Sequence, residues 1–392
     1  MAEKKKQHYV PKMFMRNFAD ENKRFSVLHV ESSKILEKVY IDSQCFKDYY
    51  YGKDLVWENN LGKLEDCWAP VITKICEGQQ LNDNELLLIK QFAIYQRQRT
   101  LSEGNYKKQQ KRAELMEISS MYCDSKGLQY SDQIEEYVNK IAYQAVTPQE
   151  LLDIAVNAEK MIDDLCVTII EYDTNAKLIS SDAPIILWNT FECHGLGYMC
   201  MGLVIFFPIS PTKLVTIYDG KMYTRNKGQQ YIVSDDENEV HNLNIIQYVN
   251  AEKIVLALKT DDFDFVDNTV IEQRKKEREK SPISALGSKD KKMITEQNRG
   301  IHLECDLSFA LLSHNIRKIN YSCREAVPRM WTQEWENKLI MKEEAIPLLA
   351  QQMPNMETNI GATRKELKRG CHLMTNFAKQ YWSKSNMKEK LF

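Results

Sequence analysis

The chain has 392 residues with 53 Lys plus Arg against 55 Asp plus Glu, a formal net charge of −2. It therefore has no overall basic field to offer nucleic acid, and any such surface must be a local patch. With 43% hydrophobic and 28% charged residues, the composition is that of a soluble globular protein able to bury one large core or two ordinary ones.

No apolar run reaches membrane-spanning length; the longest, around Leu203 to Ile209, is strand-sized. Lys4, Lys5 and Lys6 are followed by His8 and Lys12 rather than by the apolar core of a signal peptide. The ten cysteines form no CxxC pair, which disfavours a thiolate zinc knuckle. Cys166 and Cys200 lie in apolar runs, as expected of reduced thiols in a cytoplasmic protein.

The first dense element is Gln7-His8-Tyr9-Val10-Pro11-Lys12, with Pro11 placed to open a short helix reaching about Ala19. Arg24 to Val30 and Lys34 to Ile41 read as a hairpin around Glu31-Ser32-Ser33. Leu61, Leu64, Trp68 and Ile72 give a helical stripe within Leu55 to Cys76, and a longer helix starts near Asn82. Thr147-Pro148-Gln149-Glu150 is a capping box, so a helix is predicted from there to about Asp164.

From Cys166 the texture becomes β-rich. Short runs cover Val167 to Tyr172, Lys177 to Ser180, Ile185 to Trp188, Met201 to Phe207 and Lys213 to Tyr218. A helix over Asn238 to Val249 and a strand over Ile254 to Leu258 follow. The charged stretch from Glu272 to Lys292 reads as an exposed, mobile connector, and Trp335 to Gln352 and Thr363 to Met387 as amphipathic tail helices.

The expected fold class is α+β: a helical N-terminal region with a short hairpin, a mixed or antiparallel β-rich middle, and a helical tail. The expected organisation is a core over 1–260, made of a helical half (1–165) and a β-rich half (166–260). A charged flexible connector (261–298) and a helical C-terminal region (299–392) complete it.

Several residues could carry chemistry. His8 precedes a helix N-terminus, where free N–H groups favour an anion, and it titrates near neutrality. Lys12 and Arg16, four apart, share a helix face and could hold a phosphate or carboxylate. The alternative for this segment is a packing motif with Phe14 and Phe18 buried.

Asp182 lies between two strands in Ser180-Ser181-Asp182-Ala183-Pro184, displayed on a rigid turn. It suits a metal ligand or an acid/base group; its alternative is an Asx-turn binding neighbouring N–H groups. Gln96 and Arg99, three apart, share a face while Arg97 points elsewhere, and Glu65 or Asp182 would satisfy Arg99. Lys107, Lys108, Lys111 and Arg112 form a basic helical face, read first as solvated surface and second as a nucleic-acid contact. Gly195-Leu196-Gly197 and Cys371-His372 lack the context of a phosphate loop or a zinc site.

The HYVP-K opening running into Arg16-Asn17-Phe18 resembles the signature of the bacterial family known as domain of unknown function 4238. Leu64-Glu65, Gln96-Arg97-Gln98-Arg99-Thr100, Ser181-Asp182-Ala183-Pro184, Pro208-Ile209-Ser210-Pro211 and Asn242-Leu243-Asn244 with Ala251 are similar in the same order. The resemblance covers about the first two-thirds of the chain. It implies a bacterial or phage-borne cytoplasmic protein near conflict genes, hence a defence role, and no established reaction.

On this reading the leading function is a nuclease-like phosphodiester hydrolase. His8 would be base or ligand, Asp182 and Glu65 would hold a divalent ion, and Lys12, Arg16, Gln96, Arg99 and Ser181 would bind substrate. One imidazole with oxygen ligands suits Mg²⁺ or Mn²⁺ better than zinc. The opening is also similar to the first strand of His-centred nucleases, but the Asn and His that should follow are not recognisable. The competing class is a non-catalytic sensor or adaptor that binds a phage component, an anionic ligand or, through the C-terminal helices, a partner protein. No membrane association is expected.

Overall fold

The computed structural model of the chain describes residues 5–189, 198, 203–220, 223, 228–288 and 291–296. The expected tail helices, the Gly195-Leu196-Gly197 segment and Cys371-His372 lie outside them. The chain begins with β1 (Lys6–His8) and α1 (Lys12–Met15), which tightens into a 3-10 turn over Arg16–Phe18. The expected hairpin follows as β2 (Arg24–His29) and β3 (Lys34–Tyr40), then β4 (Phe46–Asp48). Five helices come next: α2 (Val56–Cys76), α3 (Asp83–Gln98), α4 (Leu101–Lys126), α5 (Asp132–Gln144) and α6 (Pro148–Ala158).

Local chemistry sets these boundaries. Asn82 and Glu85 cap α3 reciprocally, as Thr147 and Glu150 cap α6, each satisfying orphan N–H groups of a first turn. Gly127, at φ 64°, ends α4 in the left-handed conformation that glycine adopts without strain.

The second half contains β5 (Cys166–Tyr172), β6 (Ser180–Ser181), β7 (Ile186–Asn189), β8 (Leu203–Ser210), β9 (Lys213–Tyr218) and β10 (Tyr231–Ser234). Then come α7 (Glu237–Asn250), β11 (Ile254–Ala257), α8 (Asn268–Glu279), β12 (Ile283–Ser288) and β13 (Lys291–Glu296). A five-stranded sheet has the order β10-β5-β9-β8-β7, antiparallel except for the parallel pair β10/β5. A four-stranded antiparallel sheet has the order β3-β2-β11-β6. The fold is α+β, as expected.

Both sheets are covered on two faces. In β8, Val204 and Phe206 enter one apolar cluster with Leu243 and Ile246 of α7. Leu203, Ile205 and Phe207 enter the other, with Phe14 of α1, Trp68 of α2 and Phe92 of α3. A strand buried on both faces is apolar at consecutive positions, which explains the Leu203 to Ile209 run. β11 divides likewise: Ile254 and Leu256 go to the helical cluster, Val255 and Ala257 to the α7 cluster.

The helical and β-rich halves of the core interlock, because β2 of the first half pairs with β11 of the second; such pairing is decided by long-range burial, which local patterns do not carry. One expectation changes. The segment expected as a flexible connector contains α8 and the β12/β13 hairpin. Its charges are not all solvated: Arg274 and Arg278, four apart on α8, reach backbone carbonyls at the end of α7. Among the described residues, no helix is long and apolar enough to cross a membrane.

Candidate functional site

The opening motif is held by side chains that read its backbone. Gln7, fully buried, accepts from the Tyr51 amide at 2.6 Å and donates to the Gly52 carbonyl at 3.0 Å. The Tyr9 carbonyl receives Gln96 Nε2 at 3.0 Å and Arg99 Nε at 3.2 Å. Arg99 Nη2 reaches the His8 carbonyl at 3.2 Å and Glu65 Oε1 at 2.8 Å. Asn17, downstream, donates to the Ile209 carbonyl at 3.0 Å, at the irregularity between Pro208 and Ser210 in β8. Gln96 and Arg99 share one helix face, as their spacing predicts, and Glu65 is the carboxylate that satisfies Arg99.

The His8 side chain is half-buried against Phe46, and its Nε2 is enclosed without a hydrogen-bond partner. Burial, reinforced by the charge of Lys12, pulls its pKa down to about 4. The imidazole is therefore neutral at neutral pH. Lys12 pairs with Asp42 at 2.6 Å, and Arg16 is exposed. With α1 only four residues long, the expected anion site of His8, Lys12 and Arg16 at a helix N-terminus is not formed.

The second motif is locked in the same manner. Asp182 is fully buried; Oδ1 accepts the Glu252 amide and Oδ2 the Lys253 amide, both at 2.8 Å. Burial raises its pKa to about 6, against the lowering pull of these two amides. Ser181 Oγ accepts from Gln247 Nε2 at 2.5 Å and from the Ala183 amide at 3.0 Å. Asn250 Nδ2 donates to the Ala183 carbonyl at 2.6 Å and the Ile185 carbonyl at 3.2 Å. Asn244 of the Asn242-Leu243-Asn244 motif accepts from the Ile179 amide and donates to the Lys177 carbonyl.

The divalent-ion pairing expected of Asp182 and Glu65 is not formed. One carboxylate serves a turn, the other serves Arg99, and among the described residues no group of three or more His, Cys, Asp or Glu side chains is arranged to hold a metal.

A cleft lies between the α3–α4 junction and the turn after Asp182. It is lined by Arg97, Thr100, Ser102 and Glu103 from the α3–α4 junction and by Ala183, Ile185 and Asn250 from the facing turn and α7. It is partly open to solvent, and its enclosed volume is about 10 Å³, room for about one water. Thr100 caps α4 by accepting the Glu103 amide at 3.2 Å. The Glu103 carboxylate goes to Arg97 at 3.1 Å, both side chains nearly buried. Burial, the largest single effect, pulls the Arg97 pKa down, but Glu103 together with Tyr106 and the hydrogen-bonded Tyr198 outweighs it and leaves the guanidinium above its ordinary pKa.

One further carboxylate ties the cleft to the chain downstream. Glu252 Oε1 receives Asn105 of α4 at 2.7 Å, and Oε2 receives Arg278 of α8 at 2.8 Å. Sequence reasoning sets Arg97 aside and passes over Glu103, Gln247, Asn250 and Glu252. The Thr100-x-x-Glu103 spacing of a capping box was the one local signal among them.

A family model described as "Protein of unknown function (DUF4238)" matches residues 6–261. That span contains each motif whose backbone contacts are given above. No curated protein and no solved structure matches the chain.

Proposed function

We propose that this chain, which belongs to the family described as protein of unknown function DUF4238, is a recognition module: a non-catalytic sensor or adaptor of a bacterial or phage-borne conflict system. Its ligand-facing element is the cleft between the α3–α4 junction and the Ala183–Ile185 turn. The observation that carries this reading is how the polar groups are used. The opening-motif and Asp182 side chains are engaged with backbone amides and carbonyls, and the cleft is walled by the nearly buried Arg97–Glu103 ion pair beside Thr100, Ser102 and Asn250.

With an enclosed volume of about 10 Å³, room for about one water, the cleft is far smaller than the ~300–1,000 Å³ usual for drug-sized ligands. It admits at most the tip of one polar group, such as a chain end resting on its open side, rather than a nucleotide. Because Arg97 and Glu103 bind each other, a group carrying both a donor and an acceptor can exchange with the pair, whereas a polyanion would leave Glu103 without a partner.

The test is thermal-shift titration of the full chain with free amino acids, dipeptides and small dicarboxylates, beside nucleotides. A compound of the first set should raise the melting temperature of the wild type and lose that effect in Ala183→Phe, which fills the cleft. A uniform absence of shift, or an undiminished shift in the filled variant, refutes the reading.

A hydrolase is the second reading, supported by one observation. His8 stays neutral with Nε2 unpartnered, the state a general base requires. It predicts cleavage of DNA or RNA that His8→Ala abolishes in a folded protein. The engagement of Asp182 by two amides leaves it with less support than recognition has.

A further inference from the structure

α7 ends without a cation of its own: its last turn holds no basic residue, and the closing Ala251 amide goes to the Gln247 carbonyl. The carbonyls of Tyr248, Val249, Asn250 and Ala251 are therefore without partners inside the helix, at the negative end of its dipole. Two guanidinium groups of α8 collect them. Arg274 Nη1 donates to the Val249 carbonyl at 2.9 Å and the Ala251 carbonyl at 2.7 Å, with that of Tyr248 at 3.5 Å. Its Nη2 donates to the Glu252 carbonyl at 3.1 Å, and the guanidinium lies 5.9 Å from the centroid of the Tyr248 ring. Arg278 Nη2 donates to the carbonyls of Ala251 and, at 3.2 Å, Asn250, and its Nη1 meets the Glu252 carboxylate at 2.8 Å.

Carbonyls on successive residues, a carboxylate and an aromatic ring around planar cations select guanidinium. One plane with several N–H donors serves carbonyls side by side, which the single nitrogen of an ammonium cannot. The present occupant fits imperfectly. Arg278 Nε is enclosed without a hydrogen-bond partner. The two cations stand four apart on one helix and oppose each other; burial first, and Arg278 next, pull the Arg274 pKa down to about 10. α8 is 12 residues long and Val270 is its one buried side chain, so little besides the arginines fastens it.

We propose that the end of α7 is a guanidinium-binding site, that α8 fills it from within the chain as a displaceable ligand, and that its ligand in trans is a helical segment of another protein with two arginines four apart. The turn held by the arginines gives the Glu252 and Lys253 amides to Asp182 and the Asn250 side chain to the cleft wall, so the exchange of one arginine helix for another is felt there. The site is separate from the cleft, and no cleft ligand enters its test.

The experiment uses the full chain carrying R274A/R278A. Amide exchange at Glu252 and Lys253 should rise at least tenfold over the wild type. Millimolar ethylguanidinium, far below denaturing levels, should then slow it at least threefold, while ethylammonium leaves it unchanged. A labelled peptide of residues 267–280 should bind the variant at least tenfold more tightly than the wild type, whose site is filled. The same peptide with both arginines replaced by lysine should bind the variant at least tenfold more weakly. Should R274A/R278A lose the wild-type melting curve, R274K/R278K, which keeps the charge without the planar fork, replaces it under the same readings.

Equal effects of ethylguanidinium and ethylammonium, or none from either, overturn the guanidinium site. A peptide that binds wild type and variant alike, or binds neither, overturns α8 as a displaceable ligand.

Discussion

The carboxylate of Asp182 accepts the backbone amide of Glu252 at 2.8 Å, tying the turn after β6 to the turn after α7. With the neighbouring Lys253 amide on its other oxygen, the acid most suggestive of catalysis in the sequence is occupied in joining two chain segments. Asp182→Asn keeps the shape but turns an NH₂ toward one of those amides. The expected loss is ~2–4 kcal/mol, from an amide left unsatisfied and a charge-assisted bond removed. Urea unfolding measures it, and a loss under ~0.5 kcal/mol would show the contact to be incidental.

His8 and Asp182 give opposite pH dependences. The His8 pKa is depressed on folding, from 6.5 to about 4, so its contribution is present above pH 6.5 and lost as pH falls through 4. That of Asp182 is raised, from 3.8 to about 6, so its contribution is present below pH 3.8 and lost as pH rises through 6. Between pH 4 and 6 the two nearly cancel. Relative to the wild type, Asp182→Asn should lose stability as pH falls through that window, and His8→Gln as pH rises. Each slope should approach ~1.4 kcal/mol per pH unit. Urea midpoints at pH 4.5, 5.5 and 6.5 check both signs, and parallel curves for all three proteins would contradict the assignment.

Arg99 is fully buried and its fork serves the Tyr9 carbonyl, the His8 carbonyl and Glu65 at once. A lysine cannot reproduce that planar fork. Arg99→Lys should cost ~2–4 kcal/mol. Glu65→Gln should cost less, since Glu65 keeps 29% of its side chain exposed and water can compensate. Chemical denaturation of both variants tests the order of the two losses; the reverse order would show that the carboxylate, not the fork, holds the opening strand.

Phe92 lies 5.2 Å from Phe207 of β8 and 5.2 Å from Trp68 of α2, ring centroid to ring centroid. It connects α2 and α3 to the five-stranded sheet, so Phe92→Ala should destabilise the fold by ~3–5 kcal/mol through a cavity that close packing cannot refill. Calorimetric melting of the variant is the check.

Arg278 holds the turn after α7 from the α8 side, with one nitrogen on Glu252 and another on the Asn250 carbonyl at 3.2 Å. Arg278→Ala should release that turn while α7 itself stays formed. Amide exchange at Glu252 and Lys253 should rise at least tenfold, with Leu243 and Ile246 unchanged. Uniform protection across all four would separate α8 from the cleft wall.

The readable part of the fold was the part with short-range causes. The hairpin of β2 and β3, the α6 start at Thr147 and the face shared by Gln96 and Arg99 each follow from residues within a few positions of one another. The charged run in α8 misled because charge density reads as solvation. Its arginines find carbonyls more than twenty residues upstream, and such partners have no local pattern. Asp182 illustrates the same limit: an Asp before Ala-Pro announces a displayed turn, and nothing nearby tells whether it faces solvent or the amides of residues 252 and 253.

The amino-acid order by itself determined the α+β class, the family, and which segments carry polar motifs, since these depend on periodicity, capping and short signatures. Only the folded chain decided what those motifs do. Pairing β2 with β11, and setting the α3–α4 junction against the Ala183–Ile185 turn, turned the motif residues toward backbone groups and left Arg97, Glu103 and Asn250 around the cleft. The physical reason is burial: a polar side chain taken out of water must bind whichever donors or acceptors the tertiary arrangement brings to it.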